Sequence, residues 1–180
     1  GKPGEHGVFL AVVFPHDQVQ ILAYNRLVRD PQRRSPEQLL AALGAVMDLA
    51  PAADPAPDGP LQLGVYAAGR WHRARVRPGS YRAGDPVASL DCAIVQDLVL
   101  EPIFRIRDPR RDKNVDFVGG IRGARELEKR VREEGWSMAF HLFPTRIEQL
   151  LAVSDAGLLM PPKSTWFEPK LRSGLFVHAF

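Results

Sequence analysis

The sequence predicts an α+β fold: a mixed sheet with two β-hairpins, a βαβ-like unit and about four helices. Short apolar runs come in pairs around turn residues, as hairpins require. Capping signals of the form Ser/Thr-x-x-Glu/Gln precede runs with helical apolar spacing. Hairpins and helices also alternate irregularly, which argues against a doubly wound sheet.

Val8 to Phe14 and Val19 to Val28 are extended stretches around Pro15-His16-Asp17-Gln18, and predict the first hairpin. Ser35 as N-cap, Pro36 at the first helical position and Gln38 as capping partner start a helix, with Leu39, Leu43, Val46 and Met47 at helical spacing and an end near Leu49. Residues 50–60 are rich in Ala, Pro and Asp without apolar periodicity and read as a loop or linker within a single 1–180 region. Leu61 to Ala67 and Arg70 to Arg77 form the second predicted hairpin, around Ala68-Gly69.

Ser89 to Leu100 is apolar almost all round and reads as a buried helix that Pro102 restrains from continuing. A charged loop, 105–114, follows. Val115 to Val118, the glycine-rich turn 119–123, a helix from Ala124 to Glu134 and a strand from Met138 to Phe143 make the βαβ-like unit. Thr145 and Glu148 predict a capping box for a short helix that Gly157 ends, and Gly174 to Phe180 reads as a last strand.

The chain has 180 residues, 45% hydrophobic and 25% charged, which suits one buried core and excludes wholesale disorder. A net charge of +3 is too small for a polycationic surface, so nucleic acid is permitted without being implied. Cys92 is the sole cysteine, so no internal disulfide forms; with neither a signal peptide nor an apolar run near ~20 residues, the reading is a cytoplasmic protein with no membrane partner. The start at Gly1-Lys2-Pro3, without a methionine, suggests part of a larger protein.

The segment from Met160 to Gly174 gathers Lys163, Ser164, Thr165, Glu168, Lys170 and Arg172 with two aromatics in one proline-braced loop. Its cations suit phosphate or carboxylate, and the bland alternative is a rigid loop with Trp166 and Phe167 on the core. Gly119-Gly120-Ile121-Arg122-Gly123 could aim backbone N–H groups and Arg122 at an anion, although a tight strand-to-helix turn needs glycines as well. Asp97 and Glu101 are four apart and could act as an acid/base or metal pair, or simply face solvent. His16 and Asp17 sit at a turn, and Asn25 and Arg26 at a strand end, where polar groups can reach a neighbouring cleft. Trp71, Arg73, Arg75 and Arg77 alternate onto one strand face, as a phosphate-tracking stripe or as the wet side of a half-buried sheet. Arg105, Arg107, Arg110, Arg111 and Lys113 make a second basic cluster, offset by Asp108 and Asp112. The scattered histidines match no zinc pattern, and no metal site is predicted.

Taken together and in order, Phe14 to Gln18, Tyr24-Asn25-Arg26, Gln96-Asp97-Leu98 with Glu101-Pro102, Phe117 to Gly123 and Met160 to Gly174 resemble the bacterial and archaeal family of domain of unknown function 1015. The resemblance implies a larger protein whose upstream half is similar to the ParB/sulfiredoxin superfamily and carries an Asp-Gly-His-His-Arg signature that this chain lacks. In that superfamily some relatives bind nucleotides, some phosphorylate free serine and others bind DNA. The implied activity is that of a nucleotide-dependent small-molecule, amino-acid kinase-like protein, with ATP or ADP and magnesium bound through the upstream half and this region incomplete by itself. A ParB-like nucleic-acid-binding module and a protein-interaction domain are the alternatives.

Overall fold

Alternation along the strands, with one side chain up and the next down, decides which layer each residue joins in the computed structural model, which describes residues 4, 7–170, 172 and 174–178. The chain divides into two compact units, residues 1–20 with 167–180, and residues 21–166.

The larger unit is built on a six-stranded sheet of β2 (Tyr24–Val28), β3 (Met47–Pro51), β4 (Gln62–Ala67), β5 (Arg70–Val76), β6 (Val115–Gly119) and β7 (Met138–Leu142), in the order β3-β5-β4-β7-β2-β6. Two short strands, β1 (Gln20–Leu22) and β8 (Trp166–Glu168), stand outside it where the chain passes between the units. All neighbouring strands of the large sheet are antiparallel. The sheet is therefore antiparallel and not mixed as expected; β6 and β7, the strands of the expected βαβ-like unit, share a direction but are not neighbours, because each pairs with β2 between them. The βαβ-like unit is therefore split by an inserted strand.

Four helical segments cover the sheet: α1 (Pro36–Val46), a composite segment from Asp91 to Phe104, α4 (Gly123–Glu133) and α5 (Ile147–Asp155). One face of the sheet carries Val28, Leu63, Val65 and Phe140 against Leu39, Leu43, Ile94, Val99, Phe104 and Val153. The opposite face carries Leu27, Tyr66, Trp71, Val118 and Ala139 with Leu127 of α4 and Trp136. Each fully buried aliphatic or aromatic side chain here contributes about 1.5–3 kcal/mol.

Helix α1 starts as its sequence predicts. Gln38 N–H donates to Ser35 Oγ at 3.3 Å, and Ser35 N–H donates to Gln38 Oε1 at 2.8 Å. It ends earlier than expected, at Val46, because Met47 enters β3. The guanidinium of Arg77 closes that end, donating to the carbonyls of Ala45 (2.7 Å), Gly44 (2.8 Å) and Met47 (3.1 Å) and to Asp48 Oδ1 (2.8 Å). The β4–β5 hairpin turns at Ala68 (φ 52°) and Gly69 (φ 74°), and positive φ at both central residues is what a type I′ turn needs.

Residues 52–61 form a loop held down on the sheet: His141 Nδ1 lies 3.2 Å from Pro55 O, and a Cβ at Gly64 would collide with that same carbonyl. The composite segment runs α2 (Asp91–Val95), a π turn (Gln96–Leu100) and α3 (Glu101–Phe104). It therefore passes Pro102 instead of stopping before it; the wider π turn relieves the clash with the preceding carbonyls. Arg105 ends it in the left-handed conformation (φ 62°).

Several elements differ from expectation. Val8 to Phe14 is not a strand: its side chains are exposed, and an uninterrupted apolar run has no wet face on which to settle as a surface strand. The first predicted hairpin is thus absent. At α5 the cap shifts by one residue, since Thr145 is buried and its hydroxyl donates to Ser164 O at 3.0 Å, leaving Arg146 N–H to donate to Gln149 Oε1 at 3.0 Å. Gly157 does end α5 as expected, with φ 66° and Leu158 N–H on Val153 O at 3.0 Å. The described part of the predicted last strand, 174–178, is not extended into a sheet, and Ala179 and Phe180 lie outside the described residues.

Candidate functional site

Strand β2 places Arg26 on the helix-covered face of the sheet, between Phe117 of β6 and Phe140 of β7 in the strand register. A guanidinium at 3% exposure is costly unless its donors are used. Nη1 donates to Tyr24 O at 2.6 Å, Nη2 donates to Lys163 O at 3.0 Å, and the Phe117 ring lies under the cation at 4.5 Å. No carboxylate pairs with Arg26 among the described residues, and burial pulls its pKa down to about 10. An uncompensated buried cation is a place for an anion.

Arg26 lines a cleft of about 790 Å³, within the 300–1,000 Å³ common for small-molecule sites. One wall is the composite helix, through Cys92, Gln96, Asp97 and Leu100. The loop carrying Arg107, Asp108 and Arg110 forms another wall, and Arg82, Asp85 and Ala88 line the cleft together with the apolar Leu158, Leu159, Pro161 and Pro162. The π turn lies in the middle of the helical wall, and such turns collect at functional sites because the extra residue re-aims side chains.

The charges around the cleft are unequally committed. Arg110 grips Asp108 with two hydrogen bonds (2.9 and 3.1 Å), and Arg82 sits 3.7 Å from Asp85. Gln96 Nε2 donates to Ile106 O at 2.8 Å, which ties the helix to the arginine loop, while Gln96 Oε1 is buried with no partner. Burial pushes the Cys92 thiol up, so it stands in the cleft wall as a neutral group. Arg26 and Arg107 are the cations left for a ligand.

Of the residues singled out in the sequence, the structure brings Arg26 and Asp97 to this cleft, together with Arg107, Asp108 and Arg110 of the second basic cluster. Lys163 and Ser164 support it through their backbones: Lys163 O holds Arg26, Ser164 O holds Thr145, and Lys163 Nζ lies 5.3 Å from the Tyr24 ring. Thr165 is half-buried beside them in sequence. Asn25 points to the opposite face, where its Oδ1 accepts from Leu142 N–H at 3.1 Å and its Nδ2 is buried without a partner. Arg122 is exposed and pairs with Glu126 at 3.6 Å, away from the cleft lining. Glu101 is exposed and does not line the cleft either. His16, Asp17, Glu168, Lys170 and Arg172 belong to the smaller unit.

The glycine-rich turn has packing reasons. A Cβ on Gly119 would overlap the Trp166 indole, and one on Gly120 would come within 2.8 Å of Ala23 O. Nor is the Trp71/Arg73/Arg75/Arg77 stripe one free surface: Arg75 is exposed, but Trp71 is buried and donates to Glu128 Oε1 at 2.7 Å, Arg73 reaches Asp58 at 3.7 Å, and Arg77 closes α1. Sequence reasoning missed Arg82 and Asp85; Gln96 entered only through the motif Gln96-Asp97-Leu98, and for Arg107 and Arg110 the signal was the basic cluster itself. Among the described residues no three His, Cys, Asp or Glu side chains gather as metal ligands, and no helix is long and apolar enough to cross a membrane.

The profile of a family described as "Protein of unknown function (DUF1015)" matches residues 1–93, just over half of the chain. No curated protein matches. Among solved structures, a free serine kinase in complex with AMP is similar at a TM-score of 0.47 and 10% identity, covering 84% of this chain and 55% of that one. A mutant free serine kinase in complex with ADP is similar at 0.46 and 11%, with the same coverage. A conserved hypothetical protein from Pyrococcus furiosus is similar at 0.46 and 14%, covering 84% of this chain and 56% of that one. The chain thus spans about half the length of these structures.

Proposed function

The chain belongs to the DUF1015 family of proteins of unknown function, and for its cleft we propose the binding of a small anionic ligand within a nucleotide-dependent, amino-acid kinase-like protein whose upstream half completes the site. The observation that carries this reading is Arg26: a buried cation held by two backbone carbonyls, lining the cleft, with no carboxylate partner among the described residues. Fixed guanidinium groups in a water-poor cleft stabilise phosphate charge without reorganising, and positioning of this kind is most of what phosphoryl transfer asks of a protein.

The donors present fit a phosphate group. Arg26 would take it at the cleft floor and Arg107 at the rim, with any magnesium ion held by the phosphates themselves and their waters. The role of this region is to orient the anion and exclude water from it.

The test is calorimetric titration of the chain with inorganic phosphate and ADP, for wild type, Arg26→Met and Arg107→Gln. Arg107→Gln should weaken binding about tenfold and Arg26→Met should abolish it, each with the fold intact by circular dichroism. Equal affinity in all three proteins would overturn the reading.

A further inference from the structure

A second, smaller cavity of about 130 Å³ adjoins the cleft, lined by Ser80, Tyr81, Arg82, Ala88, Ile94, Asp97 and Leu98. Arg82, Ala88 and Asp97 line both spaces, so the two are contiguous across these side chains. At roughly 30 Å³ per water the small cavity has room for about four water-sized groups, enough for the end of a ligand but not for a whole one.

The polar groups of the small cavity are mostly committed. Ser80 Oγ donates to Arg77 O at 2.7 Å, and Arg82 is 3.7 Å from Asp85. Ala88, Ile94 and Leu98 supply apolar wall. That leaves the Asp97 carboxylate, which makes no hydrogen bond or ion pair among the described residues, with the Tyr81 side chain beside it in the lining. A carboxylate is an acceptor only, and next to an aromatic ring it selects a cationic donor over a neutral one. The π turn supplies Asp97 to this position, with Gln96 and Leu100 of the same turn facing the main cleft.

We propose that Asp97 is the specificity-determining residue of the cleft and that the small cavity is an ammonium subsite, so that the ligand bound through its anion at Arg26 also carries a primary amine on a short aliphatic stem. This assignment rests on the anion-binding reading above and adds to it a charge requirement at the far end of the ligand. The amine donates to Asp97 Oδ, the stem lies against Ala88 and Leu98, and ligands with the same anion but a hydroxyl at that end bind less well.

The probes are inorganic phosphate, 2-aminoethyl phosphate and 2-hydroxyethyl phosphate, titrated calorimetrically into the 180-residue chain and into its Asp97→Asn variant. Wild type should bind the amine about tenfold more tightly than the alcohol; Asp97→Asn should bind the two equally and should keep the wild-type affinity for inorganic phosphate. Asp97 is exposed and bonds to nothing among the described residues, so equal melting temperatures for the two proteins are expected. If phosphate binds but amine and alcohol are equivalent in wild type, or if the preference persists in Asp97→Asn, the ammonium subsite is overturned while the anion site stands. If phosphate itself does not bind, both fall.

Discussion

Replacing Arg26 by Met should remove anion binding at little cost in stability, and the magnitudes can be worked from its surroundings. The charged form is penalised by burial, and a pKa lowered from the ordinary guanidinium value to about 10 corresponds to about 3 kcal/mol at 1.36 kcal/mol per unit. Below pH 10 the folded protein carries that penalty in full, and it fades as the pH rises from about 10 toward the ordinary guanidinium value. Methionine removes it at neutral pH. Against this, Tyr24 O and Lys163 O lose their donors, at about 1–3 kcal/mol each, and the stacking on Phe117 changes from cationic to thioether. The two sides nearly cancel, so the net change should lie within about 2 kcal/mol by urea denaturation, with phosphate affinity gone. A loss well above 3 kcal/mol would refute the reasoning, since Arg26 would then be a structural clamp for the Lys163 loop. Retained phosphate binding would refute it as well.

Gly120→Ala should destabilise by several kcal/mol in thermal unfolding and more than Gly119→Ala, because its new Cβ meets the backbone of Ala23, whereas Gly119 meets a side chain that can turn. Asp91, whose carboxylate accepts from Leu61 N–H at 3.1 Å, is raised by burial to about 6. A folded-state pKa above the unfolded one means that this group adds stability as the pH falls from about 6 toward 4; Asp91→Asn should flatten the denaturation midpoint over that window. Arg77→Ala should cost about 1–3 kcal/mol by uncovering the last carbonyls of α1, and Arg77→Lys should not restore it fully, since an ammonium lacks the planar fork that reaches four acceptors.

The legible parts of the fold are those governed by neighbours in sequence. Ser35, Pro36 and Gln38 announce α1 because a capping box is a local hydrogen-bond exchange, and Gly157 ends α5 for an equally local reason. Val8 to Phe14 misled because an apolar run states that burial is wanted without naming what buries it. The π turn was invisible because Gln96 to Leu100 has no residue that is barred from an ordinary helix. At the site, Tyr24-Asn25-Arg26 was recognisable as unusual, yet alternation sends Arg26 and Asn25 to opposite faces, and only Arg26 meets the cleft. The Met160 to Gly174 segment drew attention through its cations, whereas the fold uses the carbonyls of Lys163 and Ser164, which every residue type possesses.

The π turn divides what the protein needs to fold from what it needs to bind. Deleting one residue from 96–100 would return the segment to ordinary helical pitch. A wide turn and an ordinary turn both carry the chain through about one revolution, so α2 and α3 would keep their apolar faces on the core, while the side chains inside the turn, Asp97 among them, would be re-aimed. The extra residue belongs to the site and not to the core: the rod packs with or without it, and the cleft wall does not.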